Sequence, residues 1–579
     1  MTGRKFYVGL ATTFHDPAVA VVNSCGEVVF AEASERYLQD KRAYCGAADV
    51  RETVRRVIHE CCDPHGEYVV AKSWSRTFTR GLNLMSLLGL VSHERLPRRS
   101  GVTSRFLADG HIVYESLWMQ HVANTLSGGH IADLLALSGN RNVSFVNFPH
   151  HLAHAATACY TSPFPEAACM VVDGSGELGS ISYFAYRDGR IRPVKRMLGA
   201  EGLGNLYAFC TDLCGFSSEK GDEWKVMGLA PYGTLDPEMH ETFRSLVTVD
   251  GLTFSYPRTR VVRQWAAKMQ RWARPPGASP LAAANLACTT QHFFVEVMTE
   301  LLNNFHAMGI SDNLVLGGGC ALNSSFNGQI VERTGFTSLH VPSAPGDDGN
   351  ALGAALLAWC RDHPGERPSS NVRSPYLGSA IANGSLAGLA RFGRVPRMRH
   401  LPDTIHEAAA DLLADGRLLG WIQGRAEFGP RALGNRSILA DPRPRDMKER
   451  LNALVKFREE FRPFAPSILD EFGDEYFENY QRSPYMERTL TFRESAARKV
   501  PAIVHVNRSG RLQSVRREWN ARFYDLIRAF HERTGVPMLL NTSFNIMGKP
   551  IVHSLEDALG LFYTTGLDAL VVEDYLIEK

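Results

Sequence analysis

One arrangement occurs early in the chain and again near its middle, and it restricts what the chain can fold into. Residues 6–10 (FYVGL) read as a strand running into Ala11-Thr12-Thr13-Phe14-His15-Asp16. A second strand over 18–22 then turns at Asn23-Ser24-Cys25-Gly26 into a third over 28–31. Residues 169–173 (CMVVD) restart the pattern, with a loop at Gly174-Ser175-Gly176, a strand over 182–186, a turn at Arg187-Asp188-Gly189-Arg190 and a further extended run. Apolar runs punctuated by such turn residues specify strands joined by tight connections. Two copies of strand, polar or Gly-rich loop, strand, turn, strand point to an internal duplication.

Two later loops extend the pattern. Asn313-Leu314-Val315-Leu316 reads as a strand entering Gly317-Gly318-Gly319, with Asn323 expected at the start of a helix. Residues 339–341 form another short strand before Pro345-Gly346-Asp347-Asp348-Gly349 and a helix over 351–359. Consecutive glycines let backbone N–H groups approach an anion, and a following helix N-terminus adds positive dipole. Four such loops in this order suit a nucleotide cleft built as in the duplicated actin-like (ASKHA) ATPase fold. Thr12, Gly174, Gly176, Gly317, Gly318, Gly319 and Asn323 are its expected nucleotide-binding residues.

A chain of 579 residues exceeds what one core normally supports. The polar, Pro-bearing stretch Arg361-Asp362-His363-Pro364-Gly365-Glu366-Arg367-Pro368-Ser369-Ser370 marks a boundary. The expected division is residues 1–362, a linker over 363–373, and a smaller α/β domain over 374–579, with a helix over 406–415 and a strand over 418–423. A stretch over 73–107 is Arg-rich and irregular, and no role is assigned to it. The formal net charge of +2 gives no field that would draw the chain to nucleic acid or an anionic membrane. Its apolar runs are too short or interrupted to span a bilayer. Eleven scattered cysteines with no CxxC pair fit a reducing compartment, and with no charged-then-apolar leader the expected location is cytoplasmic.

The chemistry falls in two places. His150 and His154 stand four apart, so a helix presents both imidazoles on one face. The second residue of an HExxH pattern is absent, so a built-in general base is not supplied there. Asp173 and Asp347, expected at strand ends facing the same cleft, complete a mixed N/O set suited to one divalent metal: Fe(II) first, with Mn or Zn alternatives. His15 in the first loop fits a general base for an alcohol, a phosphate contact or a loop cap. In the second domain Arg431 and Arg436 lie among Gly and small residues, and Arg462 precedes Pro463-Phe464-Ala465-Pro466. Guanidinium forks held on such turns suit phosphate or carboxylate. Asn541-Thr542-Ser543-Phe544-Asn545 offers hydroxyl and amide groups for an anion, without a Walker pattern.

These segments together resemble the nodulation-type and antibiotic-tailoring ATP-dependent O-carbamoyltransferases. The matching pieces are Phe14-His15-Asp16, residues 150–155, Val172-Asp173-Gly174, residues 223–233 (EWKVMGLAPYG), 317–323, 346–349, 427–441, 456–466 and 541–545. The resemblance implies a TsaD-like actin-fold domain followed by a YrdC/TsaC-like α/β domain that forms carbamoyl-adenylate. It implies that Lys456, Arg462 and Arg511 bind carbamoyl phosphate, with Arg431, Asn541, Ser543 and Asn545 beside them, and that Lys456 and Arg462 take part in its cleavage. Carbamate would attack ATP, bound with Mg, and the carbamoyl group would pass to a hydroxyl of a small natural product, His15 taking the proton. Carbamoylation of a macromolecule such as tRNA, or an ATP-binding regulator of actin fold, are the alternatives. Ala426 and Lys549 depart from the family's usual residues, and residues 73–130 match least.

Overall fold

The computed structural model describes residues 4–90, 110–199 and 202–579. The first strand, β1 (Lys5–Ala11), is buried over almost its whole length, as a central strand of apolar residues must be. It pairs antiparallel with β2 (Ala18–Asn23), which pairs with β3 (Val28–Ala33). On its other side β1 runs parallel to β4 (Glu67–Lys72), and β4 runs parallel to β5 (Val143–Asn147). The helix α1 (His150–Thr161) follows.

The second half repeats this. β6 (Glu166–Gly176), β7 (Gly179–Arg187) and β8 (Arg190–Leu198) form an antiparallel meander. A ribbon of β9 (Thr248–Asp250) and β10 (Thr253–Ser255) and the helices α2 (Pro237–Arg244) and α3 (Ala284–His306) intervene. Then β11 (Asn313–Gly317) lies parallel to β6, and β12 (Ser338–His340) parallel to β11. The helix α4 (Asn350–Asp362) closes the copy. The sheet orders, β3-β2-β1-β4-β5 and β8-β7-β6-β11-β12 reversed, are the same topology twice, as the repeat in the sequence requires.

The two equivalent helices meet directly. A Cβ on Gly353 of α4 would stand 2.0 Å from the Ala153 carbonyl oxygen of α1, and one on Gly9 of β1 would stand 1.8 Å from the Ala351 carbonyl. Only glycine admits these approaches, and Thr157 Oγ1 donates to the Gly349 carbonyl at 2.7 Å across the seam. The helix α1 is rich in alanine and buried on almost every side, so it needs no polar face.

This first compact unit comprises Met1–Ser34, Arg42–Asn323 and Ile330–Arg373. Residues 363–373, expected as a linker, are held to it: Asn371 Nδ2 donates to the Val28 carbonyl at 3.1 Å, and the Val28 amide donates back to Asn371 Oδ1 at 3.2 Å. The helix expected from Asn323 is only a short turn, Gly319–Leu322, followed by the four residues Ser324–Asn327. The stretch 73–107 begins with a helix, Arg76–Leu87, and its remainder beyond 90 lies outside the described residues.

The second unit comprises Glu35–Lys41, Ser324–Gln329 and Ser374–Lys579. Its nine-stranded mixed sheet contains β13 (Met398–His400), β14 (Leu419–Ile422), β15 (Arg436–Ala440), β16 (Ala465–Leu469), β17 (Arg488–Thr491), β18 (Ser509–Val515), β19 (Met538–Ser543), β20 (Ala569–Val572) and β21 (Tyr575–Glu578). Their order is β13-β21-β20-β14-β15-β19-β16-β18-β17. Helices α5 (Ile405–Ala414), α6 (Ala521–Thr534) and α7 (Leu555–Thr564) contribute Leu413, Phe523, Phe530 and Phe562 to the core beneath it. The chain is thus mixed α/β throughout. None of the described helices is long and apolar enough to cross a membrane.

Candidate active site: a metal tetrad and a cationic pocket

The strand β6 slips register between Val172 and Gly176, and Asp173 sits in that irregularity. Such bulges re-aim a side chain, here toward the first turn of α1. Asp173 Oδ1 accepts the amides of Gly174 at 2.8 Å and Gly319 at 3.3 Å, while Oδ2 stands 3.2 Å from His150 Nε2 and 3.6 Å from His154 Nε2. From the N-terminal end of α4, Asp347 Oδ1 lies 3.1 Å from His154 Nε2 and 3.5 Å from His150 Nε2. The four residues predicted as metal ligands therefore converge, and all their ligand atoms fall within 4.8 Å of one another.

The donor set tests well against a divalent metal. Ligands about 2.0–2.1 Å from a common centre stand about 3.3–3.4 Å apart when tetrahedral, the range found here. The two Nε2 atoms are 3.2 Å apart, a spacing that requires a proton or a cation between them. Burial lowers the His150 pKa, but the Asp347 charge and the bonds to Asp173 and Asp347 reverse this and raise it to about 10. The same carboxylates raise His154 against its burial. Both carboxyls are held well below their usual range by the imidazoles, although burial alone would raise them. Asn350 Nδ2 adjoins both imidazoles, 3.0 Å from His154 Nε2 and 3.4 Å from His150 Nδ1, while its own Oδ1 is buried without a partner.

His15 borders the tetrad, its Nδ1 3.6 Å from Asp347 Oδ2. It lies closer to Asp16 Oδ2, at 2.9 Å, and Arg42 Nε and Nη2 donate to that same oxygen at 3.2 and 3.1 Å. Burial pushes the Asp16 pKa up, but Arg42 and His15 hold it below the usual carboxylate value. An anionic Asp16 accepts a hydrogen bond from Nδ1–H of His15, which turns Nε2 outward as the ring's free nitrogen. Asp16 and Arg42 adopt φ of 52° and 65°, a left-handed backbone that non-glycine residues rarely hold away from constrained loops.

The expected nucleotide residues receive other local partners. The Gly319 and Gly174 amides face Asp173, and a Cβ on Gly318, at φ 87°, would stand 2.3 Å from the Val172 carbonyl. A Cβ on Gly317 would stand 3.2 Å from the His154 carbonyl, and one on Gly176 would stand 2.5 Å from His150 Cδ2. These glycines seat the tetrad by close approach. Asn323 exchanges amide hydrogen bonds with Gln291 at 3.0 and 3.1 Å. Thr12 keeps a buried hydroxyl with no partner.

In the second unit, Arg431, Lys456, Arg458, Arg462 and Arg511 form one electrostatic cluster. Burial and the neighbouring Arg431, Arg458 and Arg462 charges push Arg511 well down. Burial pulls Arg431 down to about 10, and burial with Arg462 lowers Arg458. Cations held this close without equal counter-charge favour an anion among them. Arg462 Nη1 meets Glu459 Oε2 at 3.1 Å, and the buried Nε of Arg511 has no partner. Lys456 ends a short π-helix at the left-handed Phe457, φ 47°. Its ammonium donates to the Ser543 and Asn545 carbonyls at 2.7 and 3.0 Å and to Asn545 Oδ1 at 2.7 Å. Lys456 therefore ties Ser543 and Asn545 together beside Arg458 and Arg462. Asn541 Nδ2 faces Ser467 Oγ and the Ala432 carbonyl at 2.9 and 3.2 Å, inside the sheet.

Arg436, read as an anion fork, is a correction. It is fully buried, and its guanidinium donates to the carbonyls of Gln423, Asn435, Ser379 and Gly424. Arg42 and Asn350 escaped the sequence reading, and Arg458 and Glu427 fall in its matching segments without an assigned role. Glu427 Oε1 accepts the amides of Leu433, Asn435 and Arg436 at 2.7, 2.8 and 3.2 Å and so shapes the loop bearing Arg431. A lone acidic residue among glycines and arginines was the available signal for it.

Comparison with known proteins adds to this geometry. Residues 7–356 match the family model described as Carbamoyltransferase N-terminus, and residues 410–579 the one described as Carbamoyltransferase C-terminus. The chain is 34% identical to nodulation protein NolNO of Sinorhizobium fredii, covering 98% of this chain and 79% of that protein. It is 37% identical to nodulation protein NolO of Bradyrhizobium diazoefficiens, covering 74% and 78%. Among solved structures, full-length HypF in the phosphate- and nucleotide-bound form is similar at 11% identity and a TM-score of 0.35, covering 63% of this chain and 56% of that one.

Proposed function

The chain belongs to the carbamoyltransferase family, and from that premise we propose that it is an ATP-dependent O-carbamoyltransferase working in two steps. The observation that carries this reading is the presence in one chain of a cluster built for a cation and a pocket built for an anion. Carbamoyl phosphate binds among Arg431, Arg458, Arg462 and Arg511, with the wall formed by Lys456, Ser543 and Asn545. Water displaces its phosphate, and the resulting carbamate attacks the α-phosphorus of ATP, which binds with Mg. Pyrophosphate leaves and carbamoyl-adenylate remains.

In the second step the acceptor hydroxyl attacks the carbamoyl carbon and AMP departs. His15 Nε2 takes the hydroxyl proton, while Asp16, fixed by Arg42, keeps Nδ1 protonated and the ring oriented. His150, His154, Asp173 and Asp347 hold the divalent metal, Fe(II) first among the ions suited to this N/O set. When bound, the metal supplies Lewis-acid neutralisation of phosphate charge beside His15. The Thr12 hydroxyl, buried without a protein partner, is offered to a nucleotide phosphate. The acceptor is a hydroxyl-bearing small natural product, of the glycoside, macrolactone, ansamycin or β-lactam kind, and the setting is cytoplasmic.

Pyrophosphate release from ATP tests the reading before any acceptor is known. Release is expected only when carbamoyl phosphate is present. An ATP-binding regulator of the same fold would release none under either condition, and that result would remove the enzymatic reading.

A further inference from the structure

A second, solvent-facing cluster lies apart from the tetrad on the helices α2 and α3. His240 projects from α2, and His292 and Glu296 from α3, with one ligand atom from each within 4.8 Å of the others. His292 and Glu296 stand four apart, so one face of α3 presents both. His240 Nε2 lies 2.5 Å from Glu296 Oε2, and the two imidazole rings are 5.4 Å apart at 71°. His292 is exposed and the other two are half-buried.

The helices that carry these residues are fixed to each other on either side. Before α2, the Thr234 amide donates to Asn285 Oδ1 at 3.0 Å and the Asp236 amide to Thr289 Oγ1 at 3.1 Å. Residues 285, 289, 292 and 296 step along one face of α3, so these bonds set the register that delivers His240 to His292 and Glu296. One turn deeper, Phe243 stacks on Phe293 at 5.0 Å and 25°, both buried. Three ligands on two rigidly registered helices need little reorganisation to close on an ion.

We propose that His240, His292 and Glu296 form a second site for a first-row transition dication, distinct from the tetrad and open to solvent. Two imidazoles and one carboxylate from protein leave at least one position to water, the open arrangement that such ligand sets commonly have. The donor set selects zinc-like ions over magnesium or calcium, which take all-oxygen ligands. Exposure makes this site the labile one of the two, filled and emptied while the buried tetrad keeps its ion.

Zinc itself is the probe. The full-length protein, as isolated, is dialysed to equilibrium against Zn2+ and its metal counted beside the His292→Ala, Glu296→Gln and His150→Ala variants. His292 is exposed, so its loss leaves the zinc-free melting temperature unchanged and folding is controlled within the experiment. Wild type should hold one more metal ion than His292→Ala, His150→Ala should lack the tetrad's ion and still take up the solvent-facing zinc, and Glu296→Gln should bind that zinc about tenfold or more weakly. Zinc should raise the melting temperature of wild type and not of His292→Ala. Equal zinc uptake and equal thermal shift in wild type and His292→Ala would overturn the proposal, as would loss of the extra zinc in His150→Ala alone.

Discussion

The tetrad of the first unit and the cationic pocket of the second are built on opposite charge logic. In the tetrad two carboxylates face two imidazoles, and each imidazole lies 3.1–3.6 Å from each carboxylate. That site is electrically matched only with a proton or a metal at its centre. In the pocket, arginines and a lysine crowd together with Glu459 as the acidic partner of Arg462, and burial with the neighbouring arginine charges pushes Lys456, Arg458 and Arg511 well down. That site is matched only with an anion present. The lesson is that a site's incomplete charge states which ligand it takes. Each half of the proposed reaction needs one of the two.

The largest effect that could break this contrast is on metal content. Asp347→Ala and His150→Ala should lose the resident metal together with carbamoyl transfer. Asn350→Ala should weaken metal binding about 10–100-fold, as loss of an outer-shell partner does. Arg511→Ala should keep its full metal complement by elemental analysis, and a metal-poor Arg511→Ala would show that the two sites are not independent. Next comes anion binding. A charge-assisted hydrogen bond contributes about 1.5–3 kcal/mol, so Arg511→Ala or Arg462→Ala should weaken carbamoyl phosphate binding about tenfold to over a hundredfold by calorimetry. Asp347→Ala should bind it as wild type does.

The pH dependence sharpens the comparison further. The His150 pKa lies near 10 without metal, so at neutral pH the metal-free tetrad holds a proton that binding must expel. Metal affinity should therefore rise with pH up to about 10, by about tenfold per pH unit for each proton released. A metal affinity flat between neutrality and that value would reject the protonated tetrad. The smallest expected effect is on stability. Arg511→Met removes one charge from a crowded, ligand-free pocket and should raise the melting temperature of the second unit, by about 2–4 °C for each 1 kcal/mol of repulsion relieved. Inorganic phosphate should stabilise wild type and erase that difference.

Much of this was legible in the chain because its signals are local. The buried strand β1 is a continuous apolar run, and the His150–His154 spacing needs only a helix to make a pair. The duplicated meander shows itself through its turns. What escaped depends on partners far apart in sequence. Arg42 reaches Asp16 from a loop in which Gln39, Arg42, Ala43 and Cys45 all have positive φ, and no periodicity announces such a backbone. Asn350 lies on the first turn of α4, two hundred residues from the imidazole it adjoins. Arg436 and Arg431 look alike in sequence, yet four carbonyls surround one, while burial without such partners marks the other. The glycines of 317–319 suit an anion by residue type, and only the fold shows that their missing side chains also admit Val172, His154 and the Asp173 carboxylate. Residue type is visible in a sequence, whereas the direction in which a polar group finds its partner is not.

The central claim is that the two sites perform separate steps, and one reaction tests it most directly. Pyrophosphate and carbamoylated acceptor are measured together for wild type, His15→Ala and Arg462→Ala, each confirmed folded. Arg462→Ala should lose both products, because the anion never enters. His15→Ala should still release pyrophosphate, as carbamoyl-adenylate forms and hydrolyses, while yielding little carbamoylated product. If His15→Ala and Arg462→Ala lose both products to the same extent, the division of labour between tetrad and pocket is wrong.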